Sequence, residues 1–400
     1  MTGLEEARAQ ILQMVGTVGR ETVALKEAAG RIAADSITSN YDLPLFDNSA
    51  MDGYAVRSVD VSRATMVKPA KLKIIAKIAA GEIWGKRIEE ETAVRVFTGS
   101  AMPIGADAVV MQEDTIEGGP DEIQVLEPVK PYENVRLKGE DVRKGDAVAR
   151  EGAQITPAFV GLIAALGVSE ISVFRRLKVG LLATGSELQE AGRPPGEGKV
   201  FESNRAMLAS FIQRIGAEPT IYPIVRDEMA DTKAAFEKAF NENQVVVTSG
   251  GVSVGEFDYV KQAFEAIGGK QNLWKVNIKP GKPFVFGRKA DKFLFGLPGN
   301  PVSALVTFVL LVRPALLRMQ GAINVDLPCH TGVLLEQLSN RGDRRHFMRV
   351  CVENSGKVRL SGTQASHMLS SLATANGLVD VAPGKTLEAG TTVQVWRLDL

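Results

Sequence analysis

Between residues 176 and 320 the chain alternates short apolar runs with stretches of helical periodicity, and several of the runs end on glycine-rich turns. Segments 177–183, 220–225, 245–248, 274–278, 284–287 and 293–296 read as strands, while 205–215, 232–240 and 259–267 carry apolar residues at helical spacing. A long helix is expected from about Pro301 to Met319. Strands alternating with helices build an α/β layer around a mostly parallel sheet. Ligands in such sheets bind outside the carboxyl ends of the strands, which is where the glycine-rich turns fall.

The rest of the chain has a different rhythm. At 400 residues, against about 150 per domain, more than one core is required. Residues 4–15 form a short amphipathic helix. Short strands at 72–78, 93–97, 108–112 and 123–126, separated by glycine and proline turns, describe a β-rich block. A helix near 157–166 and a mixed pattern follow, and strands at 331–335, 346–352 and 392–396 close the chain. The expected fold is therefore multidomain α/β plus β. Residues 1–40 and 141–175 form an elongated N-terminal domain, 41–140 an inserted β-rich domain, 176–322 the α/β domain, and 323–400 a C-terminal β domain.

Composition excludes several functions. Lys plus Arg and Asp plus Glu both number 47, so no overall charge favours nucleic acid or an anionic membrane. Aromatic residues at 6% are too sparse for a base-stacking surface. Cys329 and Cys351 form no CxxC pair and read as reduced, partly buried thiols. The N-terminus lacks a signal-peptide pattern. The apolar run 302–312 is short of the about 20 residues a membrane span needs. A soluble, cytoplasmic protein is expected.

Five clusters carry candidate chemistry. Thr248-Ser249-Gly250-Gly251-Val252-Ser253-Val254-Gly255, with Asp258, can present backbone N–H groups and hydroxyls to an anion, or form a tight turn with Asp258 as a cap. Thr184-Gly185-Ser186-Glu187 offers Glu187 as a metal or hydroxyl ligand; as a segment it reads better as a capping box opened by Thr184. With Asp227, Glu187 and Asp258 follow three core strands, so one sheet edge would gather three carboxylates suited to Mg²⁺ shared with phosphates. Lys279-Pro280-Gly281-Lys282-Pro283 and Gly296-Leu297-Pro298-Gly299-Asn300-Pro301-Val302-Ser303 place two lysines and a helix N-terminus where a small dianion or phosphate could bind. Asp47 to Val56, with Asp52, enters the β-rich block either as a polar recognition run or as an ordinary turn. Thr98, at a strand end with hydroxyls, is near it in type, and the mixed-charge run Arg136 to Asp141 could face the same cleft or solvent. Late in the chain Arg341, Arg344, Arg345 and Arg349 make a basic patch suited to oxyanions, followed by Gln364-Ala365-Ser366-His367.

Taken together and in order, these strings resemble the molybdopterin molybdenumtransferase (MoeA) family, which is related to the E domains of gephyrin and plant Cnx proteins. The carrying residues are Phe46 to Val56, Thr98-Gly99, Asn134 to Asp141, Thr184 to Leu188, Thr248 to Gly255 with Asp258-Tyr259, Lys279 to Pro283 and Gly296 to Ser303. The resemblance implies an elongated protomer in a homodimer, with residues 176–320 similar to the Mog and MoaB adenylyltransferases that act one step earlier. It implies insertion of molybdate into adenylylated molybdopterin with loss of AMP, dependent on Mg²⁺. Glu187, Asp227 and Asp258 would support the metal and adenylate. Ser249, Gly250, Gly251, Ser253, Pro298 and Pro301 would line the substrate site. Lys279, Lys282 and Ser303 would hold molybdate, with Arg344 and Ser366 nearby, and Asp52, Thr98 and Asp141 would come from the second subunit. Where the family often has glycine before Ser-His, this chain has Ala365, which leaves Arg345 an equal alternative to Arg344. The adenylyltransferase of the previous step is an expected partner. Alternative functions are that adenylyl transfer itself, against which the two β domains argue, and a dimeric scaffold.

Overall fold

The computed structural model describes residues 1–192, 194, 196–252 and 259–398. The chain divides into two compact units: residues 1–35, 151–157 and 170–400, and residues 36–150 with 158–169.

In the first unit the α/β rhythm forms a six-stranded sheet. Its order is Glu218–Ile221, Lys178–Ala183, Val245–Ser249, Lys292–Leu297, Val285–Lys289, Lys270–Trp274. The first four strands are parallel, and the last two join at one edge through antiparallel pairings. The central strands read as unbroken apolar runs because both sheet faces are covered. Side chains alternate between faces. Val179, Leu181, Val245, Val247, Phe293 and Phe295 enter one core with the Asn204–Arg214 helix and the long helix from Pro301. Leu182, Val246 and Leu294 enter another with Phe236, Phe240 and Phe264 of the Met229–Glu242 and Val260–Ala266 helices.

The helix Pro301–Met319 runs through Pro301–Thr307, a π-helical turn at Phe308–Val312, and Arg313–Met319. Pro314 has no N–H, and its ring crowds the carbonyl four residues back; the π turn immediately before it widens the ladder there. The helix is apolar over 19 residues, but 94% of its most apolar window is buried inside the protein, as in a core helix.

The remaining strands of this unit close on themselves. Arg345–Val352 pairs with Lys357–Leu360, which pairs with Cys329–Leu334, then Thr392–Arg397, then Gly377–Val381, which returns to Arg345–Val352. Leu334, Met348, Val350, Val358, Val379 and Val395 fill this five-stranded barrel. A two-residue strand, Ile278–Lys279, leaves the α/β layer and pairs in parallel with Arg345 and His346. It replaces the strand expected at 274–278: the edge strand lies earlier, at Lys270–Trp274, and Lys275 at φ 67° ends it. Of the two thiols, Cys351 is buried and Cys329 is exposed rather than partly buried.

The second unit holds a mixed six-stranded sheet ordered Ala108–Met111, Gly53–Val56, Thr92–Val96, Ala70–Ile78, Glu122–Val125, Thr115–Gly119. Its core includes Val56, Leu72, Ala93, Val110 and Ile123. Gly53 is fixed by close approach, since a Cβ there would lie 2.1 Å from the Val110 carbonyl oxygen. Gly53→Ala therefore forces the central strand apart, and a loss of about 1–3 kcal/mol is expected from overpacking. A thermal melt unchanged from the parent would contradict this close approach.

Candidate functional site

Two cavities in the first unit gather most of the candidate residues. The larger, about 730 Å³, lies outside the carboxyl ends of the parallel strands and is lined by Glu187, Asp227, Ser249, Gly250, Gly251 and Pro298, with Pro301 and Ser303 at its margin. The second, about 450 Å³, is lined by Lys279, Lys282, Ser303, Arg344 and Ser366. Pro283 and Ser303 belong to both walls, so the cavities adjoin there. Ser253 and Asp258 lie outside the described residues.

The larger cavity is built by loops that lock together. After strand Lys178–Ala183, Thr184 bridges Val225 and the Gly185 N–H donates to the Val225 carbonyl, 3.2 Å. The Ser186 N–H donates to Asp227 Oδ2, 2.8 Å, and the Asp227 N–H to Ser186 Oγ, 3.3 Å. Glu187 is not the third residue of a helix. The chain turns at Gly185 to Leu188 and continues as strand Leu188–Gln189, paired with Val200–Phe201. The capping-box reading is thus overturned, because no helix begins there, and Glu187 faces the cavity with Asp227.

The glycine pair has a steric cause. Gly250 sits at φ 90°, and a Cβ on it would lie 2.5 Å from the Thr184 carbonyl oxygen; at Gly251 the Thr184 hydroxyl would be 2.7 Å away. Thr184 is buried, and its Oγ1 has no hydrogen-bond partner among the described residues. Asn204, at the start of its helix, donates to Ser249 Oγ and to the Gly299 carbonyl, both 2.7 Å, and its buried Oδ1 has no partner among the described residues. Both orphaned atoms belong to residues lining the cavity. Sequence reasoning did not single out Asn204 because Ser203-Asn204 reads as an ordinary helix start.

The smaller cavity draws on three elements. Lys279 and Lys282 come from the loop held by the Ile278–Lys279 strand, and Ser303 from the first turn of the long helix. Asn300, at the N-cap position, makes no side-chain cap; its amide donates to Ser366 Oγ, 3.1 Å, and the Val302 N–H donates to the Ser366 carbonyl, 3.1 Å. Ser366 is thereby fastened to the helix N-terminus.

The expected basic patch is divided between different tasks. Arg344 lines the cavity and donates to the Ile278 carbonyl, 3.2 Å. Arg345 is bound to Asp380 and Glu5, and its guanidinium is held above its usual range by those carboxylates, so it is not an equivalent anion partner. Arg349 is fully buried beneath the loop that carries Ser366, donating to the Thr363 carbonyl, 2.7 Å, and the Ala365 carbonyl, 3.2 Å. Burial pushes its pKa down.

In the second unit, Asp52 Oδ1 accepts from the Thr98 N–H, 2.8 Å, and the Thr98 hydroxyl, 2.9 Å. Those bonds, with Arg95 nearby, hold the Asp52 carboxyl below the usual carboxylate range. Asp52 and Thr98 are therefore together, whereas the Asp141 N–H donates to the Leu43 carbonyl and nothing joins Asp141 to that pair. The Asp47–Val56 run is held mostly by its neighbours: Asn48 donates to the Phe46 carbonyl, Asp47 accepts from the Lys138 N–H, and the Ser49 N–H donates to the Ser100 carbonyl, while the Ser49 hydroxyl donates to the Met51 carbonyl within the run.

His346, beside Arg344 on the barrel, has a pKa pushed down to about 4 by burial and then by Lys279, Arg349 and Arg344. It is uncharged in the native protein, while the unfolded chain takes up its proton below about 6.5. Its stabilising contribution is therefore complete above about pH 6.5 and lost as pH falls toward about 4. Urea melts should show the parent losing more stability between pH 7 and pH 5 than His346→Gln; equal losses would contradict the shift.

Comparison with known proteins gives the same order of parts. Residues 2–167 match the MoeA N-terminal region (domain I and II), 180–318 a family described as a probable molybdopterin binding domain, and 331–398 the MoeA C-terminal region (domain IV). The molybdopterin molybdenumtransferase of Haemophilus influenzae is 39% identical over 99% of this chain and 98% of its own length. Molybdopterin molybdenumtransferase 2 of Mycobacterium tuberculosis is 38% identical over the full length of both. Among solved structures, the molybdopterin biosynthesis MoeA protein of Pyrococcus horikoshii OT3 superposes with a TM-score of 0.87 at 32% identity, covering 99% of this chain and 100% of its own. The multidomain α/β plus β fold is that of these structures, and the chain belongs to the MoeA family of molybdopterin molybdenumtransferases.

Proposed function

We propose that this chain inserts molybdenum into molybdopterin, taking adenylylated molybdopterin and molybdate as substrates and releasing AMP. The relatives' name supplies the reaction class. The observation that carries the finer reading is the adjacency of the two cavities at Pro283 and Ser303, one rich in hydroxyls and carboxylates, the other in fixed cations.

In this reading Lys279, Lys282 and Arg344 neutralise a tetrahedral dianion, and Ser303 and Ser366 orient it. Preorganised charge of this kind needs no reorganisation when ligands exchange at the bound metal centre. The nucleophiles are the substrate's own dithiolene sulfurs, so no protein nucleophile is required. Ser249, Gly250, Gly251, Pro298 and Pro301 shape the adjoining chamber for the pterin and its adenylate. The orphaned Thr184 Oγ1 and Asn204 Oδ1 await polar partners there.

Glu187 and Asp227 supply hard oxygen donors of the kind Mg²⁺ takes when it shares phosphate oxygens. Among the described residues no three His, Cys, Asp or Glu side chains gather into a metal cage. An ion in this reading is held by Glu187, Asp227 and the substrate's phosphate oxygens; Asp258, the third carboxylate the resemblance implies, lies outside the described residues. Such an ion would neutralise phosphate charge. The functional form is a cytoplasmic homodimer in which Asp52, Thr98 and Asp141 complete the cleft from the second copy, and the adenylyltransferase of the preceding step is the natural donor of substrate.

Reconstitution with adenylylated molybdopterin, molybdate and Mg²⁺ tests the reading. AMP release should depend on molybdate, and Lys279→Ala and Asp227→Ala should each lower it on the order of a hundredfold or more, as for loss of other preorganised electrostatic groups. Molybdate-independent release, or full activity in folded Lys279→Ala, would refute it.

A further inference from the structure

Among the described residues His346 is the one buried histidine, at 5% exposure, and its Nε2 has no hydrogen-bond partner there. It lines the smaller cavity beside Lys279, Lys282 and Arg344. Its placement follows from pairing: Lys279 and His346 are register partners on adjacent parallel strands, so their side chains leave the same face. An unpartnered buried ring nitrogen costs free energy unless something completes it. The open space that His346 lines is the anion cavity.

The charged walls share one property. Lysine and arginine can only donate. Ser366 Oγ already accepts from Asn300, which leaves its own O–H to give. Gln364 accepts from the Arg349 N–H and donates to the Arg349 and Gly362 carbonyls, so its amide is already engaged. No carboxylate is among the described residues lining the cavity.

We propose that His346 donates an uncharged Nε2–H to the bound oxyanion and closes a shell of side-chain donors that selects tetrahedral dianions carrying no proton. Molybdate, tungstate and sulfate present only acceptors to such a shell. Hydrogen phosphate carries an O–H that would meet donors and be left unpaired. The low pKa of His346 agrees, because Lys279, Arg344 and Arg349 already supply positive charge and the imidazole adds a hydrogen bond without another.

The inference rests on the smaller cavity being the oxyanion site. The test is calorimetric titration of the full-length protein at pH 7.5 with molybdate, tungstate, sulfate and inorganic phosphate, for the parent, His346→Leu, His346→Gln and Lys279→Ala. Molybdate should bind at least tenfold more tightly than phosphate. His346→Leu should weaken molybdate by about tenfold or more, the worth of a hydrogen bond to a charged group, and His346→Gln, which retains an N–H donor, should recover most of it. Phosphate bound as tightly as molybdate by the parent would overturn the proposal without reference to any variant. So would unchanged molybdate affinity in folded His346→Leu while Lys279→Ala loses it. Molybdate affinity retained in Lys279→Ala would instead overturn the underlying site.

Discussion

Two residues, Ile278 and Lys279, tie the α/β layer to the C-terminal barrel by lying in parallel beside Arg345 and His346. The anion cavity depends on that pairing. It sets Lys279 next to His346, brings the Arg344 guanidinium to the Ile278 carbonyl, and leaves the following loop to carry Lys282 toward the first turn of the long helix. On the opposite wall Ser366 is fastened to that helix by Asn300 and Val302. The lysine pair, Arg344 and Ser366 are thus each fixed through backbone hydrogen bonds, which is what allows them to act on an anion without first being ordered.

Buried Arg349 extends the same design one layer down. It holds the carbonyls of Thr363 and Ala365, so it fixes the turn from which Ser366 projects, even though this chain has Ala365 where glycine is frequent in the family. Its Nη1 has no partner among the described residues, and desolvation lowers its pKa. A guanidinium in that position contributes positive potential beneath the cavity while the Arg345 charge is turned away to Asp380 and Glu5.

Much of this arrangement was legible in the sequence. Strands such as 177–183 and 245–248 stand out because they are buried on both faces, and the residues after them were read as a ligand site because parallel strands end together. Lys279 and Lys282 group with the helix N-terminus at Ser303 on other grounds, a proline-stiffened lysine pair and a helix dipole suited to one small anion, and the structure places all three residues on one cavity. What was misread depended on partners distant in the chain. Lys270–Trp274 is an edge strand with polar residues, so its pattern is weak, while the apolar Val276 and Ile278 are buried connectors. Thr184 to Glu187 has the local chemistry of a helix start, but Asp227 and Val225 draw it into a turn instead. The arginines 344, 345 and 349 look alike in sequence. Only Asp380, Glu5 and the 363–365 carbonyls distinguish their roles. His346 carried no local signal, since its meaning comes from the strand beside it.

The most direct test of the central claim is to crystallise the protein with molybdate and locate the metal by anomalous scattering at the molybdenum edge. The account requires a peak in the smaller cavity, with its oxygens in hydrogen-bonding reach of Lys279, Arg344 and Ser366. A fully occupied peak elsewhere, with that cavity holding only water at saturating molybdate, would contradict it.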